Sequence, residues 1–194
     1  MYTTPSLKAQ SLLSQWTSHQ SGLQFELLMT LGGVLLVSIL AQISIAVPFS
    51  PVPITGQTFA VSLIGFFWGR RAPIVLTSYL ALGFLGAPIF ALGKSGLIFG
   101  PTFGYLLGMV FSSILIGYLS ERGWGKSFIK ALVANFMGSL LIFFCGLCVL
   151  SYFLPKESLF IAGLIPFLPG DLIKNVISAT LVTKLNNKYL TRDI

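Results

Sequence analysis

No residue between Glu26 and Arg70 carries a formal charge, and the same holds from Lys94 to Glu121 and from Lys130 to Lys156. A helix that crosses the hydrocarbon core of a bilayer needs about 20 largely apolar residues, so each interval has room for at least one span. Inside a membrane the backbone finds no water, and a helix satisfies its polar groups within a single segment. The chain therefore reads as an all-α membrane protein. Its charged fraction agrees: 9% of the 194 residues are Asp, Glu, Lys or Arg, against about 25% in soluble domains.

Glycine and proline punctuation divides the apolar runs into six segments, approximately Phe25–Val47, Gly56–Gly69, Ala72–Gly86, Pro101–Leu119, Ala131–Leu154 and Leu159–Leu185. The second and third are short for full spans, which calls for tilt, extension into flanking turns or partial enclosure by the bundle. The sixth is interrupted by Pro166 and by Pro169-Gly170, so its first part is expected to be a loop or half-helix. With six alternating spans, Lys8, Arg70, Arg71, Arg122, Lys126, Lys130, Lys184, Lys188 and Arg192 all fall on one side. The other side receives Lys94, Lys156 and Glu157. The positive-inside rule then places both termini in the cytoplasm.

The expected organisation is a cytoplasmic leader over residues 1–24, a six-helix membrane domain over 25–190 and a cytoplasmic tail over 191–194. The leader is polar, lacks a basic start and leads into a long apolar helix rather than a cleavage site, so it does not read as a signal peptide. The net charge of +7 sits at span ends rather than along a stripe, which argues against a nucleic-acid partner. Cys145 and Cys148 form a C-x-x-C inside an apolar run. With His19 the lone histidine and no further cysteine, they are read as small packing residues rather than a redox or metal site.

The loops on the outer side carry the chemistry. The first, from Val47 to Thr58, holds prolines at 48, 51 and 53 and is expected to be rigid and extended, with backbone carbonyls that no helix satisfies. Its polar end offers Thr55, Gln57 and Thr58. The second runs from Gly86 through Phe90, Gly93, Lys94 and Gly96 to Gly100-Pro101. Lys94 there is read as a solvated loop charge, and Phe90, Phe103, Tyr105 and Tyr79 as an apolar wall. The third leads through Pro169-Gly170 to Asp171 and Lys174, an ionisable pair inside an apolar segment.

Removing a carboxylate and an ammonium from water costs several kcal/mol each, so a membrane segment keeps them with partners or for a ligand. At i,i+3 on a helix the two share a face. One reading makes Asp171 an N-terminal cap with Lys174 as its salt-bridge partner. The other makes the pair one wall of a ligand pocket, suited to a molecule with N–H donors beside a carbonyl or to one bearing a carboxylate. No Walker A pattern, metal cluster or nucleophile–base–acid set is present, which argues against an enzyme and against an ATPase of that type. An evident internal repeat, the usual sign of a self-sufficient alternating-access carrier, is also missing.

Four ordered motifs resemble one family. They are Pro51-Val52-Pro53-Ile54-Thr55-Gly56-Gln57-Thr58, then Gly83-x-x-Gly86-x-Pro88-Ile89-Phe90-Ala91, then Gly100-Pro101-Thr102-x-Gly104-Tyr105-Leu106-x-Gly108, and Pro169-Gly170-Asp171-x-x-Lys174. Together, over about Leu31 to Leu185, they resemble the BioY family, the biotin-capturing S components of energy-coupling factor (ECF) transporters. The resemblance implies a multi-pass protein of the cell membrane that captures biotin at the outer face. It further implies delivery inward with a transmembrane coupling subunit and ABC-type ATPase subunits, with biotin as cargo and no cofactor. It maps the family's ligand contacts onto Asp171 and Lys174, and the ligand-binding set expected here is Asp171, Lys174, Thr55, Gln57, Phe90 and Tyr105. A small-residue docking face on the first helix would fall on Ser38, Ala41 and Ala46. An S component for another vitamin and a membrane enzyme acting on a lipid-soluble substrate are the alternatives.

Overall fold

The computed structural model describes residues 22–96 and 99–190. Residues 1–21 of the expected leader, with Lys8 and His19, and the expected tail at 191–194, with Arg192, lie outside the described residues. The chain is mostly helical. Helix α1 is Leu23–Gln42, α2 Gln57–Trp68, α3 Ala72–Phe84, α4 Phe103–Glu121, α5 Phe128–Leu150, α6 Lys156–Gly163 and α7 Leu168–Leu190. A two-residue ladder joins β1 (Ser44–Ile45) to β2 (Ile54–Thr55) in antiparallel register, with Ser44 opposite Thr55. The proline loop between them thus doubles back as a hairpin instead of extending.

Five helical stretches are long and apolar enough to cross a membrane: Leu23–Gln42, Gln57–Phe84, Phe103–Glu121, Phe128–Leu150 and Lys156–Lys188. The second is not one straight rod. Gln57 Nε2 lies 2.7 Å from the Tyr79 hydroxyl, whereas 22 residues of continuous helix would separate them by about 33 Å. The stretch folds back at Gly69, whose φ of 57° and ψ of −127° suit a residue without a Cβ. Pro73 then occupies the first turn of α3, where its missing N–H leaves no helix bond unmade. The last stretch is broken too, by a 3-10 turn at Ile165–Phe167. Pro169 and Gly170 lie just after that break, inside the first turn of α7.

Glycines let the helices approach closely, as small residues do where no hydrophobic effect drives association. A Cβ on Gly104 would meet the Cys145 carbonyl, and one on Gly108 would meet Ile142, so α4 and α5 touch backbone to backbone. Cys145 belongs to that contact, while Cys148 is exposed on α5. Gly117 faces the Gly69 carbonyl at the α2–α3 turn. Gly117→Val is therefore expected to destabilise the fold by about 1–3 kcal/mol, the usual cost of overpacking. Gly32→Ala, with no atom within 4 Å of the new Cβ, should not lower the thermal midpoint of the purified protein, since alanine favours a helix interior over glycine. Equal midpoints for the two variants would contradict this packing.

The two ends of the bundle differ in chemistry. At one end Arg71 pairs with Glu26 and Arg70 with Glu121, fastening the α2–α3 turn to α1 and α4. Trp68, just before that turn, donates its indole N–H to the Met29 carbonyl of α1 at 2.9 Å. Of the small residues expected on a docking face, Ala41 is fully buried in the bundle and unavailable to a partner. Ser38 returns its hydroxyl to the Val34 carbonyl.

Candidate functional site

Helices α2, α4 and α7 all begin at the end opposite the arginine pairs, and their first turns surround a cavity of about 500 Å³. That volume lies in the usual range for small-molecule sites, roughly 300–1,000 Å³. All six expected ligand residues (Thr55, Gln57, Phe90, Tyr105, Asp171 and Lys174) line it. They come from three helices, strand β2 and one loop, brought together because the α2–α3 hairpin and the α6–α7 break turn their ends toward one another. Tyr79 and Phe103, expected in the wall, do not line the cavity. Phe84, Ile142, Phe143 and Phe167 stand there instead.

Asp171 is the fourth residue of α7 and only 6% exposed. It does not act as a cap on backbone N–H groups. Ser139 of α5 donates to its Oδ1 at 2.9 Å, and Asn175, one turn on, donates to its Oδ2 at 2.9 Å. The Asn175 amide also donates to the Ser139 hydroxyl at 3.1 Å, closing a triangle around the carboxylate. Each carboxylate oxygen has a second acceptor site, so Asp171 is held in place and still has capacity for a ligand donor.

Behind this triangle the polar packing continues. Asn135 Nδ2 donates to the Asn175 carbonyl at 3.1 Å, and Ser62 of α2 donates to Asn135 Oδ1 and contacts Ser178. The apolar pattern of the sequence passes over Asn135, Ser139 and Asn175. One signal for them is the recurrence of Asp171, Asn175 and Ser178 at i, i+4 and i+7, a polar stripe on an otherwise apolar helix.

Rather than bridging to Asp171, Lys174 reaches across to α2. Its Nζ donates to the Thr55 carbonyl at 2.9 Å and to the Thr58 hydroxyl at 3.1 Å. An ammonium has three N–H donors, which leaves one for the cavity. The carbonyl that the proline loop leaves outside any helix is thus satisfied by the buried lysine. The Thr55 hydroxyl accepts from Gln57 N–H at 3.2 Å, closing the entry to α2.

The proline loop and α4 are pinned to consecutive carbonyls of α6. Ser50 donates to the Ala162 carbonyl and Tyr105 to the Gly163 carbonyl, both at 2.7 Å. Tyr105 therefore presents its ring to the cavity, with its hydroxyl already engaged. Phe90 packs edge-on against Tyr79 and Phe84, with ring centroids 5.4 and 5.5 Å away. Lys94 lines the cavity too and is exposed, so the solvated loop charge also places a second cation at the cavity mouth. The arrangement offers a fixed anionic acceptor, two cations and an aromatic wall, which suits an amphipathic molecule carrying N–H donors and a carboxylate.

Comparisons with known proteins point the same way. The model of the BioY family matches residues 14–191. The chain is 32% identical over 164 residues to a protein named biotin transporter BioY from Thermotoga maritima, covering 82% of this chain and 96% of that one. It is 36% identical over 151 residues to the biotin transporter BioY of Rhizobium etli, covering 71% and 79%. With biotin transporter BioY2 of Lactococcus lactis the identity is 33% over 175 residues, covering 82% and 92%. Among solved structures, the S-component for biotin from an ECF-type ABC transporter superposes with a TM-score of 0.77 at 27% identity, covering 87% of this chain and 95% of that one.

Proposed function

The chain belongs to the BioY family, and from that premise and the geometry of the cavity we propose that it is the biotin-capturing subunit of a vitamin-uptake transporter of the cell membrane. The observation that carries this reading is the pairing, on the first turns of α7, of a carboxylate braced on both oxygens with an ammonium that keeps one free donor. Biotin presents two ureido N–H groups, a ureido carbonyl and a valerate carboxylate. Asp171 accepts a ureido N–H, and the third donor of Lys174 meets a biotin oxygen. Thr55 and Gln57 form the polar lip, and Phe90 and Tyr105 close on the apolar ring and tail. Lys94 stands on the rim as a second cation.

The membrane arrangement follows the same reading. The α2 and α3 arms, of 12 and 13 residues, are each about 18–20 Å long. With their turn they make two short crossings inside the bundle, giving six crossings in all and both termini in the cytoplasm. Arg70, Arg71, Arg122, Lys126, Lys184 and Lys188 then share the cytoplasmic side, as the positive-inside rule requires. The cavity opens outward. The protein binds its cargo rather than transforming it, consistent with relatives named as transporters. Without a nucleotide-binding motif of its own, it draws on a transmembrane coupling subunit and ABC-type ATPase subunits.

Growth tests this. A biotin-auxotrophic host lacking its own uptake system should grow on trace biotin when the chain is expressed with a coupling module. Rescue of riboflavin or thiamine auxotrophy without rescue on biotin would overturn the reading.

A further inference from the structure

We propose that Tyr79, which does not line the cavity, sets the polarity of the cavity wall by holding the Gln57 amide with its oxygen toward the ligand. The inference rests on the reading of this cavity as a biotin site. Tyr79 is fully buried on α3, and Gln57, at the first turn of α2, is 3% exposed. The Tyr79 hydroxyl lies 3.0 Å from the Ile89 carbonyl and 2.7 Å from the Gln57 amide.

A carbonyl only accepts, and a phenol has a single proton to give. That proton goes to Ile89, so the phenol oxygen faces Gln57 as an acceptor. The Gln57 atom beside it must then be the nitrogen. Gln42 also donates to Ile89, at the longer distance of 3.4 Å, and the two lone pairs of the carbonyl accommodate both.

With its nitrogen engaged, Gln57 has only its oxygen to offer elsewhere. No described donor reaches that oxygen. Nor is it among the buried unpaired side-chain atoms of the described residues, which are Ser112 Oγ and Thr183 Oγ1. It therefore opens on the space that Gln57 lines, the cavity itself. The first turns of α2 and α7 then each contribute an acceptor, Gln57 Oε1 and the Asp171 carboxylate, matching the two N–H donors of a ureido ring. Without the Tyr79 hydroxyl the amide is free to turn over and present N–H to N–H. Tyr79 is thus a positioning residue that acts through Gln57.

A double-mutant cycle on the purified full chain tests this, with labelled biotin as the probe. Tyr79→Phe and Gln57→Ala should each weaken biotin binding about tenfold, the effect of one hydrogen bond. Adding Tyr79→Phe to Gln57→Ala should weaken it no further. Additive losses, or a Tyr79→Phe variant that binds like the wild type, would overturn the inference while leaving biotin as the ligand. If Tyr79→Phe does not fold, Gln57→Ala decides alone: a tenfold loss supports the acceptor and unchanged affinity overturns it. A wild-type chain that does not bind biotin overturns the underlying reading as well.

Discussion

Asp171→Asn is expected to weaken biotin binding by about a hundredfold while leaving the ligand-free protein folded. The substitution keeps the size of the side chain and removes one acceptor oxygen and the charge. Ser139 and Asn175 donate to different carboxylate oxygens, so whichever way the new amide turns, one of them keeps an acceptor and the other meets the NH2 group. The ureido N–H then finds at most one neutral oxygen, already shared with a protein donor, where the carboxylate offered two charged ones. A hydrogen bond to a charged group contributes about 1.5–3 kcal/mol, and stranding the ligand donor adds a desolvation cost. A hundredfold change corresponds to about 2.7 kcal/mol, inside that range. Equilibrium binding and a thermal melt on the same preparation check it. Unchanged affinity in a folded variant would remove Asp171 from the site.

Lys174→Met should be nearly as damaging, with a second signature that Asp171→Asn lacks. Methionine fills the volume of the side chain but leaves the Thr55 carbonyl and the Thr58 hydroxyl without their donor. A buried carbonyl left unpaired costs about 1–3 kcal/mol, and here the cost falls on the β2 end of the proline hairpin. Biotin affinity should drop roughly thirtyfold or more, by the loss of a charged donor. Backbone hydrogen exchange over residues 44–56 should rise in the ligand-free protein, because the strap over the cavity has lost its anchor. Exchange that matches the wild type would mean that Lys174 does not hold this loop. Arginine is not expected to rescue, since its planar fork does not reproduce a compact ammonium with three donors.

The parts of this protein legible in its sequence are those where physics leaves few options. Long uncharged intervals require helices in a membrane, and Asp171 and Lys174 stand out because burying them is costly. The four motifs place the first, second and third outer loops and the start of α7 near one another, and the six expected ligand residues do line one cavity. What the sequence hides is set by pairings between distant segments. The bond from Trp68 to Met29 depends on where α1 lies, and Ala41 is buried for the same reason. The proline loop closes as a hairpin because Thr55 finds Ser44 in the ladder and Lys174 finds the Thr55 carbonyl. Ser139 and Asn135 look like ordinary polar residues of an apolar helix until α7 is packed against them. Tyr79 looks like an aromatic wall residue until the hairpin at Gly69 brings it back to Gln57.

The proposed home of biotin is the cavity bounded by Asp171 and Lys174. The decisive measurement is titration of biotin into the purified chain, with Asp171→Asn titrated in parallel. Saturable binding of one biotin per chain is expected in the wild type, and a loss of about a hundredfold in the variant. Absence of saturable biotin binding by the folded wild type, or identical curves for the two proteins, would contradict it.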